Sequence, residues 1–311
     1  MSFAAAMLVA ALLDIAIGWP ERLYARIGHP VTWIGAIIEW LDDRLNTGSP
    51  GPRRRAGAVA VGGVLAAVLV PSILVQVLLP DTWLGIAVAG VLAWPFVAIR
   101  SMYSHVAAVA RPLTAQDLPE ARKAVAMIVG RDPARLDADG VARAALESLA
   151  ENTSDGIWAP LFWGALAGLP GIAAYKAINT LDSMIGHRTT RHADFGTAAA
   201  RLDDLVNLVP ARLTGLLFLV CSYRWRAAWR TMRRDAPRHR SPNAGWPEGA
   251  MAGALGVRLS GPRVYQDRIA DEPWLNAGAP DPTPRSLRQG LRLYLRTMCL
   301  CVAILAGLAV L

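Results

Sequence analysis

Gly57–Leu79 is a run of 23 residues without a charge, and it decides the solvent in which this chain must fold. About 20 apolar residues carry a helix across a bilayer. Lipid supplies no partner for a backbone N–H or C=O, so such a run has to satisfy its own polar groups, as a helix does. A second uncharged run, Trp83–Ile99, follows the tight turn Pro80-Asp81-Thr82. The two predict an antiparallel membrane hairpin whose tip lies on the side poor in arginine. Arg53-Arg54-Arg55 precede the hairpin and further arginines follow it. By the positive-inside rule, residues 19–56 and 100–156 then belong to the cytoplasm.

Composition agrees. Charged residues make up 18% of the 311-residue chain and hydrophobic ones 54%, where soluble domains carry about 25% charged residues. That excludes a disordered chain and argues against an ordinary cytosolic enzyme. The net charge is +8, from 30 Arg and two Lys, Lys123 and Lys176. The excess flanks apolar segments, which fits membrane orientation better than a nucleic-acid partner. Cys221, Cys299 and Cys301 all sit in or beside apolar runs. This excludes a disulfide-stapled secreted domain and a cysteine-rich zinc module. The 11 Trp against five Phe suit bilayer interfaces.

The fold class expected is all-α: a polytopic integral membrane protein, one membrane-embedded domain over residues 1–311, with about four to six membrane segments. Phe3–Ile17 is apolar except for Asp14 and opens the set (residues 3–18), with no basic segment or cleavage site of a signal peptide before it. The hairpin gives 57–79 and 83–99. Residues 100–156 read as a cytoplasmic helical region in which Arg122, Lys123, Arg131, Arg135 and Arg143 alternate with apolar residues. Residues 157–185 read as two helical arms broken at Leu169-Pro170-Gly171. Residues 208–223 either dip in and return or lie along the surface. Seven arginines from Arg224 to Arg240, interleaved with Trp225 and Trp229, suit an interfacial helix. Residues 241–284 read as an ordered Gly- and Pro-rich loop, and 297–311 as a last apolar helix.

Polar residues concentrate between 147 and 212, in ESLAENTSDG (147–156), YKAINTLDSMIGH (175–187) and ARLDDLVNLVPARL (200–213). Glu147 and Glu151 fall on one helical face, which Asp155 continues if the helix runs that far. Such acids are either a solvated face or a group held by a cation, an Arg cluster or a shared proton. Asn152, Thr153 and Ser154 follow at once and an apolar segment begins at Ile157, which places the group at a membrane boundary. Lys176 begins its helix in an apolar arm and needs an anion there, either Asp182 or Glu151, or a phosphate. Asn179 and Ser183 share its face. Arg201, Asp203, Asp204 and Asn207, with Arg212 beyond, have the composition that holds Mg2+ with phosphates. His187 and His192 are five apart, and with no HExxH or Cys pattern the histidines read as loop or capping residues rather than zinc ligands. GWPEGAMAGALG (245–256) follows no strand and reads as a tight loop and a close-packed helix. No P-loop and no GxSxG is present.

The stretch from ESLAENTSDG through ARLDDLVNLVPARLTGLL (147–217) resembles the signature region of the CbiB/CobD family of cobalamin biosynthesis. SPNAGWPEGAMAGALGVRLSGPRVY (241–265), with Trp274 in EPWLNAG, resembles its second block, and GHPVTWIGAIIEWLD (28–42) its N-terminal block. The resemblance covers nearly the whole chain. It implies a multi-pass protein of the inner cell membrane, an adenosylcobinamide-phosphate synthase. Such a ligase joins a carboxyl of adenosylcobyric acid to the amine of (R)-1-aminopropan-2-ol or its O-phosphate, driven by ATP and Mg2+. It also implies association with other cobalamin-assembly enzymes.

On that reading, residue types assign the roles. Glu147, Glu151, Asp155 and Lys176 are the catalytic candidates. Asp203 and Asp204 are the metal ligands. His29, Asn152, Asn179, Asp182, Arg201, Asn207, Arg212, Asn243 and Glu248 bind substrate or phosphate. The rival is a non-catalytic membrane scaffold or sensor of AmpE-like type. A transporter is disfavoured because paired, repeat-related broken helices are absent from the sequence.

Overall fold

A computed structural model of the chain describes every residue except Arg131, Arg188, Gln266, Asp267 and Asp271, with backbone alone for 263–265 and 268–270. Arg131 of the basic pattern and three residues of the 241–284 stretch therefore lie outside the described residues. The helices are α1 (Phe3–Ile17), α2 (Glu21–Ile27), α3 (Pro30–Leu45), α4 (Pro50–Leu78), α5 (Trp83–Ala93), α6 (Ile99–Thr114), α7 (Leu118–Ala126), α8 (Ala138–Thr153), α9 (Ala159–Leu181), α10 (Thr197–Val220), α11 (Trp225–Asp235), α12 (Gly245–Leu255) and α13 (Pro284–Val310). π-turns occupy Ser154–Trp158 and Asp182–Gly186. Among the described residues, strands are confined to two short antiparallel ladders, β1 (Leu259–Ser260) with β4 (Trp274–Leu275) and β2 (Arg263–Tyr265) with β3 (Arg268–Ala270).

The protein is all-α and carries four described helical stretches long and apolar enough to cross a membrane: Pro50–Leu78, Trp83–Thr114, Ala138–Gly186 and Pro284–Val310. A fifth follows if α1 and the Glu21–Leu45 stretch, bent by 111°, are one span. Several helices overrun the apolar runs that predict them. α4 begins at Pro50 and takes in Arg53-Arg54-Arg55, because proline is tolerated in a first helical turn whose N–H groups have no partner anyway. α13 begins 13 residues before the apolar run at 297. Its amphipathic first half belongs to the same helix, since a 3.6-residue period needs no uniform hydrophobicity.

The chain divides into two compact units. The first comprises Met1–Ala98, Ala159–Asn207 and Ile304–Leu311; the second comprises Ile99–Trp158 and Leu208–Ala303. In the first unit, α1 packs on α5 and α9, and α4 packs on α3 and α9. Ile34, Ile38, Val61, Val64, Leu181, Ile185 and Phe195 form its core. Small residues set the approach: a Cβ at Gly164 would collide with Met7, and one at Gly57 with the Phe195 carbonyl. In lipid, where apolar side chains gain little by leaving solvent, such close contact is what holds helices together. α9 is bent at Gly168, whose φ of 65° lies in the left-handed region. The break thus falls one residue ahead of Leu169-Pro170-Gly171.

In the second unit, α6, α7 and α8 pack together, and α12 packs on α8 and α11. Asp117 and Asp137 cap α7 and α8 through the amides of Glu120 and Gly140. The 241–284 stretch contains α12 and the strands, so it is not a loop throughout. Its glycines serve helix packing: a Cβ at Gly253 would strike α11 at Ala227 and Ala228, and one at Gly249 would crowd Met232. Arg143 and Arg258 both pair with Asp281 and both stack on Trp274, at 4.7 and 4.3 Å.

Candidate functional site

The first unit gathers polar side chains from α9, the π-turn after it, and the start of α10. Helical spacing puts Tyr175, Asn179 and Asp182 on neighbouring turns, and Asp203 and Asn207 four apart on α10. The Tyr175 hydroxyl donates to Asn207 Oδ1 at 2.8 Å, and Asn207 Nδ2 donates to Asp203 Oδ2 at 3.0 Å. The Asn179 side chain also bonds Asp203. Tyr175 and Asn207 are buried. Asp203 Oδ1 is buried with no hydrogen-bond partner among the described residues. Burial, and secondarily the charge of Asp182, push the Asp203 carboxyl up to about 7. The bonds from Asn207 and Asn179 oppose that rise, and Asp204 adds to it.

Asp182 interacts electrostatically with His187 and Asp204. Its carboxylate lies over Gly186, where a Cβ would collide with Oδ1. Lys176 interacts with His29. His29 is the N-cap of α3, accepting at Nδ1 from the Val31 amide at 3.2 Å. Its ring meets Trp19 edge-on at 4.9 Å, and Trp19 meets Trp94 at 5.4 Å. Both indole N–H groups are buried without a partner among the described residues. Arg201 is exposed on α10 and makes no ion pair with a described residue.

The other predicted residues belong to the second unit. Glu147 is buried, and its Oε1 accepts from the Ser260 amide at 2.7 Å. That bond ties α8 to β1, so Glu147 serves as an anchor of that loop. Glu151 is exposed and Asp155 half-buried. The helix runs from α8 straight into the π-turn that holds Asp155, so the three acids follow one another at about one turn each, and they differ in burial. Asn152 Nδ2 donates to the Ser148 carbonyl at 2.9 Å. Arg212 Nη1 donates to the Leu208 carbonyl at 2.6 Å, and its guanidinium lies 4.5 Å over the Trp246 ring. Asn243 and Glu248 are buried. Glu248 Oε2 is 3.8 Å from His239 Nε2, and buried Glu272 lies 3.5 Å from Arg240.

Sequence reasoning does not single out Tyr175, His239, Glu272 or Gln76. Gln76 Oε1 accepts from the Leu169 amide at 2.7 Å, an N–H that the break at Gly168 releases. A signal existed for it, since Gln76 is the lone amide side chain in Gly57–Leu79. Tyr175 and His239 have partners 32 and nine residues away, beyond the reach of helical spacing.

Among the described residues, no three His, Cys, Asp or Glu side chains converge as a metal cage. Mg2+ seldom needs one: it takes one or two carboxylates and completes its shell with water and phosphate oxygens. The unpartnered Asp203 Oδ1 suits that mode. Asp182 suits it better as the second carboxylate than Asp204 does, because adjacent residues on a helix diverge by about 100°.

A family model described as CobD/Cbib protein matches residues 7–294. The cobalamin biosynthesis protein CobD of Rhodobacter capsulatus is 62% identical over 311 residues, covering 100% of this chain and 99% of the relative. That of Brucella suis is 47% identical, covering 94% and 92%, and that of Rhizobium meliloti 46% identical, covering 87% and 85%. No solved structure matches. With a full-length relative at this identity and a family model spanning nearly all of its helices, the chain belongs to the CobD/CbiB family of cobalamin biosynthesis proteins.

Proposed function

We propose that the protein is a membrane-embedded ligase that joins a carboxyl of adenosylcobyric acid to the amine of (R)-1-aminopropan-2-ol or its O-phosphate, with ATP as the driving substrate. Family membership gives the pathway. The observation that carries the chemistry is the buried, partly unsatisfied Asp203 beside Asp182, within the stretch that resembles the family signature.

A carboxylate resists attack by an amine. Phosphoryl or adenylyl transfer from ATP would turn it into an acyl phosphate or acyl adenylate. The amine nitrogen then attacks the acyl carbon, and phosphate or AMP leaves. Asp203 and Asp182, with Asp204 nearby, would hold Mg2+, which neutralises charge on phosphate oxygens. Asn207 and Asn179 fix the Asp203 carboxylate, and Tyr175 fixes Asn207. Lys176 offers a cation to a phosphate.

The test uses detergent-purified protein with adenosylcobyric acid, aminopropanol phosphate and Mg-ATP. Amide product with stoichiometric ADP or AMP is expected, and the nucleotide released identifies the activation step. Asp203→Asn should lower kcat/KM by about 100-fold or more with membrane insertion intact. Absence of both product and nucleotide turnover from well-folded protein would instead support the scaffold reading.

A further inference from the structure

α11 buries Ala228, Thr231, Met232 and Asp235 against its neighbours. Trp225, Arg226, Trp229, Arg230 and Arg233 remain exposed. Arg226 stacks over Trp225 at 5.1 Å and Arg233 over Trp229 at 5.4 Å. Beside this helix, in the same unit, lies a cleft of about 640 Å3 lined by Ser222, Tyr223, Arg224, Gln289, Arg292 and Arg296. Arg296 stacks at 4.6 Å over the ring of Tyr223, which is 90% exposed.

Among the described residues the charge here is uncompensated. Arg224, Arg226, Arg230, Arg233, Arg292 and Arg296 form no ion pair with any described acidic residue. Between residues 222 and 240 stand seven arginines and one acid, Asp235, and that acid is taken by Arg234. Three arginines in the cleft and three on the exposed face of α11 make a surface that attracts anions.

The level of the cleft identifies the partner. Arg296 is the last charge before the 15 uncharged residues Thr297–Leu311, so α13 meets the apolar phase at the cleft. Exposed Leu295 and Val220 adjoin the arginines. Arginine, tryptophan and tyrosine together are the residues of the headgroup layer. A free phosphate would use the arginines and leave the aromatic and aliphatic surface idle; a lipid uses both. We propose that the Arg224–Arg292–Arg296 cleft and the exposed face of α11 bind the phosphate headgroups of anionic phospholipids.

The experiment places the full-length protein in phosphatidylcholine nanodiscs with trace spin-labelled phosphatidylglycerol or phosphatidylcholine. The motionally restricted fraction of each label is read by electron paramagnetic resonance. Each arginine at an anionic surface is worth about a fivefold gain in association. The wild type should therefore favour phosphatidylglycerol several-fold. The R224Q/R292Q/R296Q variant should fall close to parity. The R226Q/R230Q/R233Q variant alters exposed side chains only, so it should fold and show a partial loss. Equal association of both labels with the wild type would overturn the proposal. So would an undiminished preference in both variants, or loss of the preference to millimolar inorganic phosphate at constant ionic strength, which would reveal a free-phosphate site.

Discussion

Asp203 is a carboxyl group kept where ionisation is costly, and two consequences follow at the level of this one residue. Burial raises it to about 7, whereas an unfolded aspartate titrates near 3.9. Between those values the folded state holds a proton that the unfolded state has lost. Its contribution to stability is full below about pH 4 and declines as pH rises through the folded value. Thermal midpoints of metal-free wild type measured against pH should fall over that window, and Asp203→Asn should remove this part of the slope. Mg2+ binding at that oxygen must expel the same proton. Adding Mg2+ near pH 6.5 should release about three-quarters of a proton from wild type and none from Asp203→Asn, read with an indicator dye. Silence from the wild type would sink the metal assignment. The contact between Asn207 and Asp203 is legible in the sequence, because residues four apart meet on any helix. The contact of Tyr175 with Asn207 is not, because it depends on how α9 and α10 pack.

Among the elements, α9 owes its bend to a single position, Gly168. Gly168 has a φ of 65°, and a Cβ there would enter the side-chain amide of Gln76. That amide accepts the Leu169 N–H that the break sets loose. In an apolar phase a lost partner is not replaced by water. Gly168→Ala and Gln76→Leu should each destabilise the detergent-solubilised protein by about 1–3 kcal/mol, seen as a lower thermal midpoint. An unchanged midpoint in both would mean that the bend is held by other contacts. The bend is foreshadowed by Pro170 and Gly171, since these residues punctuate helices wherever they occur. α12 is hidden by the same rule. Its glycines, the usual mark of a loop, are there because α11 lies too close for a side chain. Sequence shows that a residue is small, and only packing shows why.

At the scale of the whole molecule, the membrane class was readable from uncharged runs, because no other solvent accommodates them. The division into two units was not, since no linker or change of composition marks it. Orientation is the property to test at this scale. With the native cysteines replaced, Asp81→Cys in the turn after α4 should react with an impermeant maleimide applied to intact cells. Arg238→Cys, in the arginine-rich segment, should react only after lysis. The reverse pattern would invert the arrangement and put the proposed site on the wrong face. The division of the molecule bears on its biogenesis as well. The chain passes from one unit to the other at 98/99, 158/159, 207/208 and 303/304. Neither unit is thus a contiguous stretch of the gene, and no single truncation point can yield one of them intact. On the ribosome, the unit begun first is finished last, closing only when Ile304–Leu311 emerge, after every residue of its companion has been made.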